Sequence, residues 1–146
     1  MRQWEKEIKR HVHQDRQLSV YIYHGNNKKA DFDRLRNFDV VLTTFGTMAQ
    51  EYKLKEERML AESKQREQQQ TQVKRPTREM FSLLGQKSMW YRVILDEAQC
   101  IKNRSTLTSR AANDLQARHR LCMTGTPMMV RASFRPLFIH AHRPNT

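Results

Sequence analysis

The stretch that decides the fold is WYRVILDEAQ, at residues 90–99. Apart from Arg92, its first six residues are aromatic, β-branched or otherwise apolar, which predicts a β-strand. The strand delivers two adjacent carboxylates, Asp96 and Glu97, at its carboxyl end, where parallel α/β sheets bind their ligands. In phosphate-transferring enzymes one such carboxylate holds Mg²⁺ while the other orients and deprotonates the attacking water. The alternative interpretation is a strand that ends in a solvated acidic turn.

Helix and strand signals alternate around this stretch. An amphipathic helix is predicted over residues 3–12, because Trp4, Ile8 and Val12 share one helical face. A further helix begins at Phe45, directly after an apolar strand without alternation, which should be covered on both faces. The other predicted elements are strands at 19–23 and 39–44, a helix at 107–115 capped by Ser105 or Asn103, and a last buried strand at 121–123. This order predicts an α/β fold with a largely parallel sheet.

The helix from Phe45 leads into a glutamine-rich segment at residues 63–78, which Pro76 closes. This polar composition predicts a flexible surface insertion, with a partner-binding segment as the alternative. A coiled coil over 45–72 is disfavoured, because the apolar residues do not sustain a heptad pattern over the ~3–4 repeats that it requires.

The charge of the chain favours a polyanionic partner. Its 146 residues carry 27 Lys plus Arg against 15 Asp plus Glu, a net charge of +12. Nucleic acid is the first candidate, although the excess also fits a piece of a longer chain whose acidic complement lies elsewhere. No apolar run approaches the ~20 residues of a membrane span. Cys100 and Cys122 are predicted to be small buried hydrophobes, and the histidine pairs lack the further ligands of a zinc site.

Several stretches, in this order along the chain, carry a family resemblance. They are QWEKEI at 3–8, YHG at 23–25, DVVLTTFGT at 39–47, the segment 90–103 and LCMTGTPM at 121–128. Together they closely resemble the motifs of the Swi/Snf-type, helicase-like DNA translocases of superfamily two. Gln99, where many members carry His, points to the branch with RING-bearing DNA repair translocases. A related RNA helicase would show Ser-Ala-Thr in place of Thr-Gly-Thr at 124–126.

The resemblance implies part of the amino-terminal RecA-like ATPase lobe over residues 1–129, with the insertion at 63–78, followed by an unmatched basic tail at 130–146. The implied fold is α/β, an incomplete RecA-like parallel sheet flanked by helices. The sequence contains no Gly-x-x-x-x-Gly-Lys-[Ser/Thr] loop, so the strand bearing it and the second lobe are expected to be missing. We therefore expect an inactive fragment, and attribute the tail to a frame shift or unspliced intron near Val130. The alternative is a basic nucleic-acid-binding remnant that does not hydrolyse ATP, a pseudogene-like product.

The resemblance also implies roles for individual residues. Asp96 would hold Mg²⁺ through ATP, Glu97 would activate the hydrolytic water, and Gln99 would couple the nucleotide and DNA sites. The residues implied to share that coupling are Thr124, Gly125 and Thr126, and those implied to contact DNA phosphates are Thr43, Thr44, Gly46, Lys102 and Arg104. Without the resemblance, Thr44 is simply a helix N-cap. The implied cofactors are ATP and Mg²⁺. The implied partner is double-stranded DNA, free or in nucleosomes. The implied location is the nucleus, and the implied process is chromatin remodelling or DNA repair.

Overall fold

A computed structural model of the chain describes residues 1–68 and 81–125. The helices are α1 (Arg2–His11), α2 (Phe32–Leu35), α3 (Phe45–Gln68) and α4 (Leu107–Asp114), and the strands are β1 (Val20–Ile22), β2 (Val40–Leu42), β3 (Met89–Leu95) and β4 (Gln116–Cys122). Short 3₁₀ turns lie at Gln14–Arg16, Gly25–Lys29 and Ala98–Ile101. None of the helices within the described ranges combines the length and apolarity that a bilayer crossing requires.

The strands pair in parallel, as the sequence predicts. β1 runs beside β2 with Val20 opposite Val40, and β3 runs beside β4 with Leu95 opposite Cys122. Parallel neighbours need a crossover connection, and α2 lies between β1 and β2 in the chain as α4 lies between β3 and β4. The carboxyl ends of β3 and β4 therefore lie side by side.

The core anchors β3. Trp90 is fully buried, with its ring edge-on to Phe32 at 5.2 Å between centroids and its indole nitrogen donating to the Leu83 carbonyl at 3.0 Å. The other largest fully buried apolar side chains are Leu35, Leu83, Leu84, Val93, Ile101 and Leu115. Close packing of these side chains fixes the strand whose end carries the predicted catalytic carboxylates.

Glu51, a buried carboxylate of α3, joins the segment before β3 to the rest of the fold. Its Oε1 accepts from the backbone N–H groups of Leu83 at 2.7 Å and Leu84 at 2.9 Å, and its Oε2 accepts from the Tyr23 hydroxyl at 3.2 Å. Burial raises the pKa of Glu51 above its ordinary value and raises the pKa of Tyr23 to about 12, because the charged form of each group loses its hydration.

The glutamine-rich segment begins as helix, although its composition predicted a flexible insertion from residue 63. α3 continues to Gln68, and the ion pair between Arg58 and Glu62 at 2.9 Å spans one of its later turns. The rest of the predicted insertion, residues 69–78, and the predicted tail at 130–146 lie outside the described residues.

The predicted last strand at 121–123 is present, but its predicted bounds and its predicted burial are wrong. β4 spans Gln116–Cys122, and Leu121 is 47% exposed. Its register partner Ile94 is 38% exposed, so nothing among the described residues fully covers this face of the β3–β4 pair. The expected two-sided cover of β2 is also incomplete, because only the central Val41 is buried.

The predicted cap of α4 is also wrong. Thr106, in extended backbone directly before the helix, accepts from the backbone N–H of Ser109 at 3.2 Å. Asn103 instead accepts from the backbone N–H and hydroxyl of Ser105 at 3.1 and 2.8 Å, within the preceding turn.

The cysteines are less buried than predicted. Cys100 is exposed and Cys122 is half-buried. In the 3₁₀ turn at Ala98–Ile101 the two end residues take the inward positions, which leaves Cys100 on the outer side.

Candidate functional site

Asp96 and Glu97 follow β3 directly, and both side chains are exposed. The Asp96 Oδ1 accepts from the backbone N–H of Glu97 at 3.0 Å. Glu97 itself has φ 54° and ψ 48°, the left-handed region that non-glycine residues rarely adopt. Among the described residues other than glycine it alone has a positive φ. Such strained conformations cluster at functional sites, because the surrounding structure must hold them in place.

Backbone hydrogen bonds join this turn to the end of β4. The Met123 N–H donates to the Leu95 carbonyl at 2.8 Å, and the Ala98 N–H donates to the Met123 carbonyl at 3.0 Å. The pairing thus continues beyond both strands, to Met123, one residue after β4, and to Ala98, three residues after the end of β3. It brings the two strongest predicted motifs together.

Side chains complete the link between the two strand ends. The Gln99 Nε2 donates to the Glu97 Oε2, and the Thr124 hydroxyl donates to the Gln99 Oε1 at 2.8 Å. The three side chains form one hydrogen-bonded chain, in which Gln99 is both donor and acceptor. Gly125 follows Thr124 and is exposed, whereas Thr126 lies outside the described residues.

Trp4 is a member of this site that the sequence reasoning missed. Its indole Nε1 donates to the Asp96 Oδ2 at 3.0 Å across a separation of 92 residues. The helical pattern places Trp4 on the inner face of α1, yet its side chain is 43% exposed and α1 has no buried residue. No local signal could have indicated this contact, because it depends on how α1 docks beside β3.

The residues that follow β2 and are predicted to contact DNA form a second cluster of polar side chains. The Thr43 hydroxyl donates to the Tyr23 carbonyl at 3.0 Å. Thr44 caps α3, since its hydroxyl accepts from the Thr47 N–H at 3.1 Å. His24 Nδ1, just after β1, lies 2.9 Å from the Thr47 hydroxyl in the first turn of α3, a contact that the sequence did not indicate.

The other predicted DNA contacts are exposed. Gly46 lies in the first turn of α3, where an added Cβ would meet nothing nearer than the Thr44 hydroxyl at 3.9 Å. Lys102 and Arg104 follow the 3₁₀ turn after Glu97, so they lie close along the chain to the carboxylates.

The donor set suits a magnesium ion that is bound mainly by nucleotide phosphates. No cluster of three or more potential metal-ligating side chains occurs in the part of the chain that the structure describes. Magnesium in ATPases usually keeps several waters and takes one or two carboxylates together with substrate phosphates. Exposed carboxylates at a strand end, such as Asp96 and Glu97, fit that requirement.

Two parallel strand pairs flanked by helices are typical of a RecA-like lobe, and here the carboxylates after β3 are linked by hydrogen bonds to the end of β4. Residues 1–134 match the SNF2-related domain. The chain belongs to this family, as the motifs predict. A solved structure, the SWI2/SNF2 ATPase core of Sulfolobus solfataricus in complex with dsDNA, agrees in fold with a TM-score of 0.53 at 23% identity, covering 88% of this chain and 19% of that one.

Several curated proteins are similar in sequence. An uncharacterized ATP-dependent helicase of Schizosaccharomyces pombe is 39% identical over 129 residues, which cover 88% of this chain and 12% of the helicase. Transcription termination factor 2 of Drosophila melanogaster is 31% identical, covering 88% of this chain and 9% of its own length. DNA repair protein RAD5A of Arabidopsis thaliana is 32% identical, covering 86% and 10%. This last match agrees with the predicted branch, and the chain spans only a small part of each relative.

Proposed function

We propose that this chain is part of the amino-terminal lobe of an ATP-dependent DNA translocase, and that its lobe spans residues 1–129 with an insertion at 63–78. One observation carries the proposal. The hydrogen-bonded chain from Glu97 through Gln99 to Thr124 unites side chains from two strand ends that family resemblance independently assigns to catalysis and coupling. The match to the SNF2-related domain supports it.

Asp96 and Glu97 have different tasks in this proposal. Asp96 would hold the magnesium ion of a bound ATP, and that ion would neutralise phosphate charge. Glu97 orients the attacking water and accepts its proton. The left-handed backbone of Glu97 supports these two separate roles. It interrupts the extended conformation of β3, in which consecutive side chains would point to opposite faces of the sheet.

Gln99 and Thr124 carry the coupling, together with Gly125 and Thr126. Gln99 orients Glu97 through its amide N–H and receives the Thr124 hydroxyl on its amide oxygen. A shift of Thr124 therefore moves the amide that holds the catalytic base. A hydroxyl can exchange donor and acceptor roles between nucleotide states, which suits this position.

DNA is the proposed partner of the exposed polar residues at the strand ends. Thr43, Thr44 and Gly46 contact phosphates at the start of α3, and Lys102 and Arg104 add charge beside the carboxylates. The net charge of +12 and the dsDNA-bound state of the Sulfolobus core support this assignment. A nuclear protein that acts on free DNA or on nucleosomes, in chromatin remodelling or repair, is the role we infer for the longer polypeptide.

Binding can be tested on the 146-residue chain. It should retain a DNA duplex with an affinity that falls steeply with salt, and Lys102→Gln with Arg104→Gln should lower the salt slope by up to about 1.8, since each lost phosphate contact removes about 0.9. The charge-matched control is the double variant Arg36→Gln with Lys53→Gln, because both residues are exposed and lie away from the turn that carries Lys102 and Arg104. Equal slopes for the two double variants would contradict the assignment.

Hydrolysis can be tested separately. The 146 residues contain no phosphate-binding loop, so they should show no DNA-stimulated ATP turnover by themselves. In a polypeptide that supplies this loop and a second lobe, Glu97→Gln should leave ATP binding near normal and stop turnover. If ATP binding were lost instead, Glu97 would be a structural residue. DNA binding without turnover in that longer polypeptide would favour a nucleic-acid-binding remnant.

A further inference from the structure

α1 has an exposed basic face that is separate from the residues of the candidate site. Arg2, Lys6 and Arg10 recur every fourth position, so they lie on one face of the helix with a rise of ~6 Å between neighbours. All three side chains are exposed, and none makes a hydrogen bond or ion pair within residues 1–68 and 81–125. Lys9, on the same side, is instead paired with Glu5 at 3.1 Å.

The opposite side of α1 contacts Asp96, the carboxylate that is proposed to bind magnesium. Trp4 and Lys6 are two positions apart in the helix, which places their side chains ~200° apart around the helix axis. From that side the Trp4 indole donates to the Asp96 Oδ2 at 3.0 Å, while the Asp96 Oδ1 accepts from the Glu97 N–H at 3.0 Å. Both oxygens of the carboxylate are therefore oriented by donors, one from its own turn and one from α1.

We propose that α1 is a nucleic-acid-binding helix whose Trp4 is a positioning residue for Asp96. Arg2, Lys6 and Arg10 bind phosphates of the DNA backbone, and the position of α1 sets the orientation of the Asp96 carboxylate through the indole hydrogen bond. The inference rests on the proposed function, which assigns Asp96 to the nucleotide. It adds a DNA surface on α1 and a path from that surface to the metal ligand.

The attachment of α1 suits this role. No residue of α1 is fully buried. The hydrogen bond from the half-exposed Trp4 indole to Asp96 connects the helix to the end of β3. A helix held this loosely can shift when phosphates bind its outer face, because little packing opposes the movement. Phosphates follow each DNA strand at ~3.4 Å of axial rise, so basic residues spaced by ~6 Å reach different phosphates.

The hydrogen bond can be tested without DNA. The chain has two tryptophans, Trp4 and the fully buried Trp90, so 5-fluorotryptophan labelling should give two ¹⁹F resonances, assigned with Trp4→Phe. Asp96→Ala should move the Trp4 resonance and leave that of Trp90, which reports on the fold. Glu97→Ala is the matched control, because it removes the adjacent carboxylate but not the acceptor. Equal shifts of the Trp4 resonance in both variants, or none in Asp96→Ala, would overturn the positioning role.

The surface is tested by DNA binding. Substituting glutamine for Arg2, Lys6 and Arg10 should lower the salt slope of duplex binding by up to about 2.7, and should abolish the movement of the Trp4 resonance that duplex causes in the wild type. A triple glutamine variant at Arg36, Lys53 and Lys64 controls for net charge.

The outcomes separate this inference from the proposed function. If the wild type binds no duplex, the proposed DNA-binding function fails and the surface fails with it. If it binds duplex with a slope that responds to Lys102 and Arg104 but not to the α1 substitutions, only this inference is overturned. A Trp4 resonance that duplex leaves unmoved in the wild type would overturn the path to Asp96.

Discussion

Replacing Glu51 by alanine should remove a large part of the stability of the fold. The carboxylate accepts from the N–H groups of Leu83 and Leu84 and from the Tyr23 hydroxyl, and the side chain is 9% exposed. Alanine leaves these three donors without that acceptor, and a buried donor without a partner costs about 1–3 kcal/mol. The expected loss is about 3–9 kcal/mol, against the ~5–15 kcal/mol that stabilises a typical domain.

Glu51→Gln separates the hydrogen bonds from the charge. Glutamine keeps an oxygen for the two backbone donors and cannot ionise. Burial raises the pKa of Glu51 in the folded state above its ordinary 4.5, so the folded protein binds this proton more tightly than the unfolded chain. The stability linked to the proton is fully present below pH 4.5 and is lost as the pH rises through the folded-state pKa. The stability of the wild type relative to Glu51→Gln should therefore fall with rising pH.

Urea unfolding of the three proteins, followed by near-ultraviolet circular dichroism between about pH 4 and about pH 8, measures both effects. Glu57→Ala is the matched control, because Glu57 is an exposed glutamate of the same helix, 3.8 Å from Lys53, and its loss should change stability by less than about 0.5 kcal/mol. The reasoning is refuted if Glu51→Ala is as stable as this control. A constant difference between wild type and Glu51→Gln over the whole range would show that Glu51 does not titrate as its burial requires.

Two further predictions concern Glu97 and Tyr23. Glu97→Gly should be more stable than Glu97→Ala by about 1 kcal/mol in urea unfolding, because only glycine adopts the left-handed φ of 54° without strain; an equal or more stable alanine variant would contradict this. Because burial raises the pKa of Tyr23 to about 12, Tyr23→Phe should remove the part of the 295 nm phenolate titration centred near pH 12. The stability of the wild type relative to Tyr23→Phe should fall as the pH rises from 10 towards 12, and an unchanged titration curve would refute the assignment.

The sequence by itself determined the elements and the chemistry that local composition specifies. β3 forms because its aromatic and β-branched residues suit a buried strand in any surroundings. The pairing of Asp96 with Glu97 needs no tertiary information, since the two are adjacent in the chain. The family followed from ordered motifs along the chain.

The tertiary structure decided what depends on docking. Burial is a property of what packs against a residue, so the apolar Leu121 is exposed while Glu51 is buried. Contacts across long separations leave no periodic signal, which is why the bond from Trp4 to Asp96 and the acceptor role of Glu51 were invisible in the sequence. Helix caps lie between these cases: several polar residues precede α4, and the backbone conformation of Thr106 alone selects it as the cap.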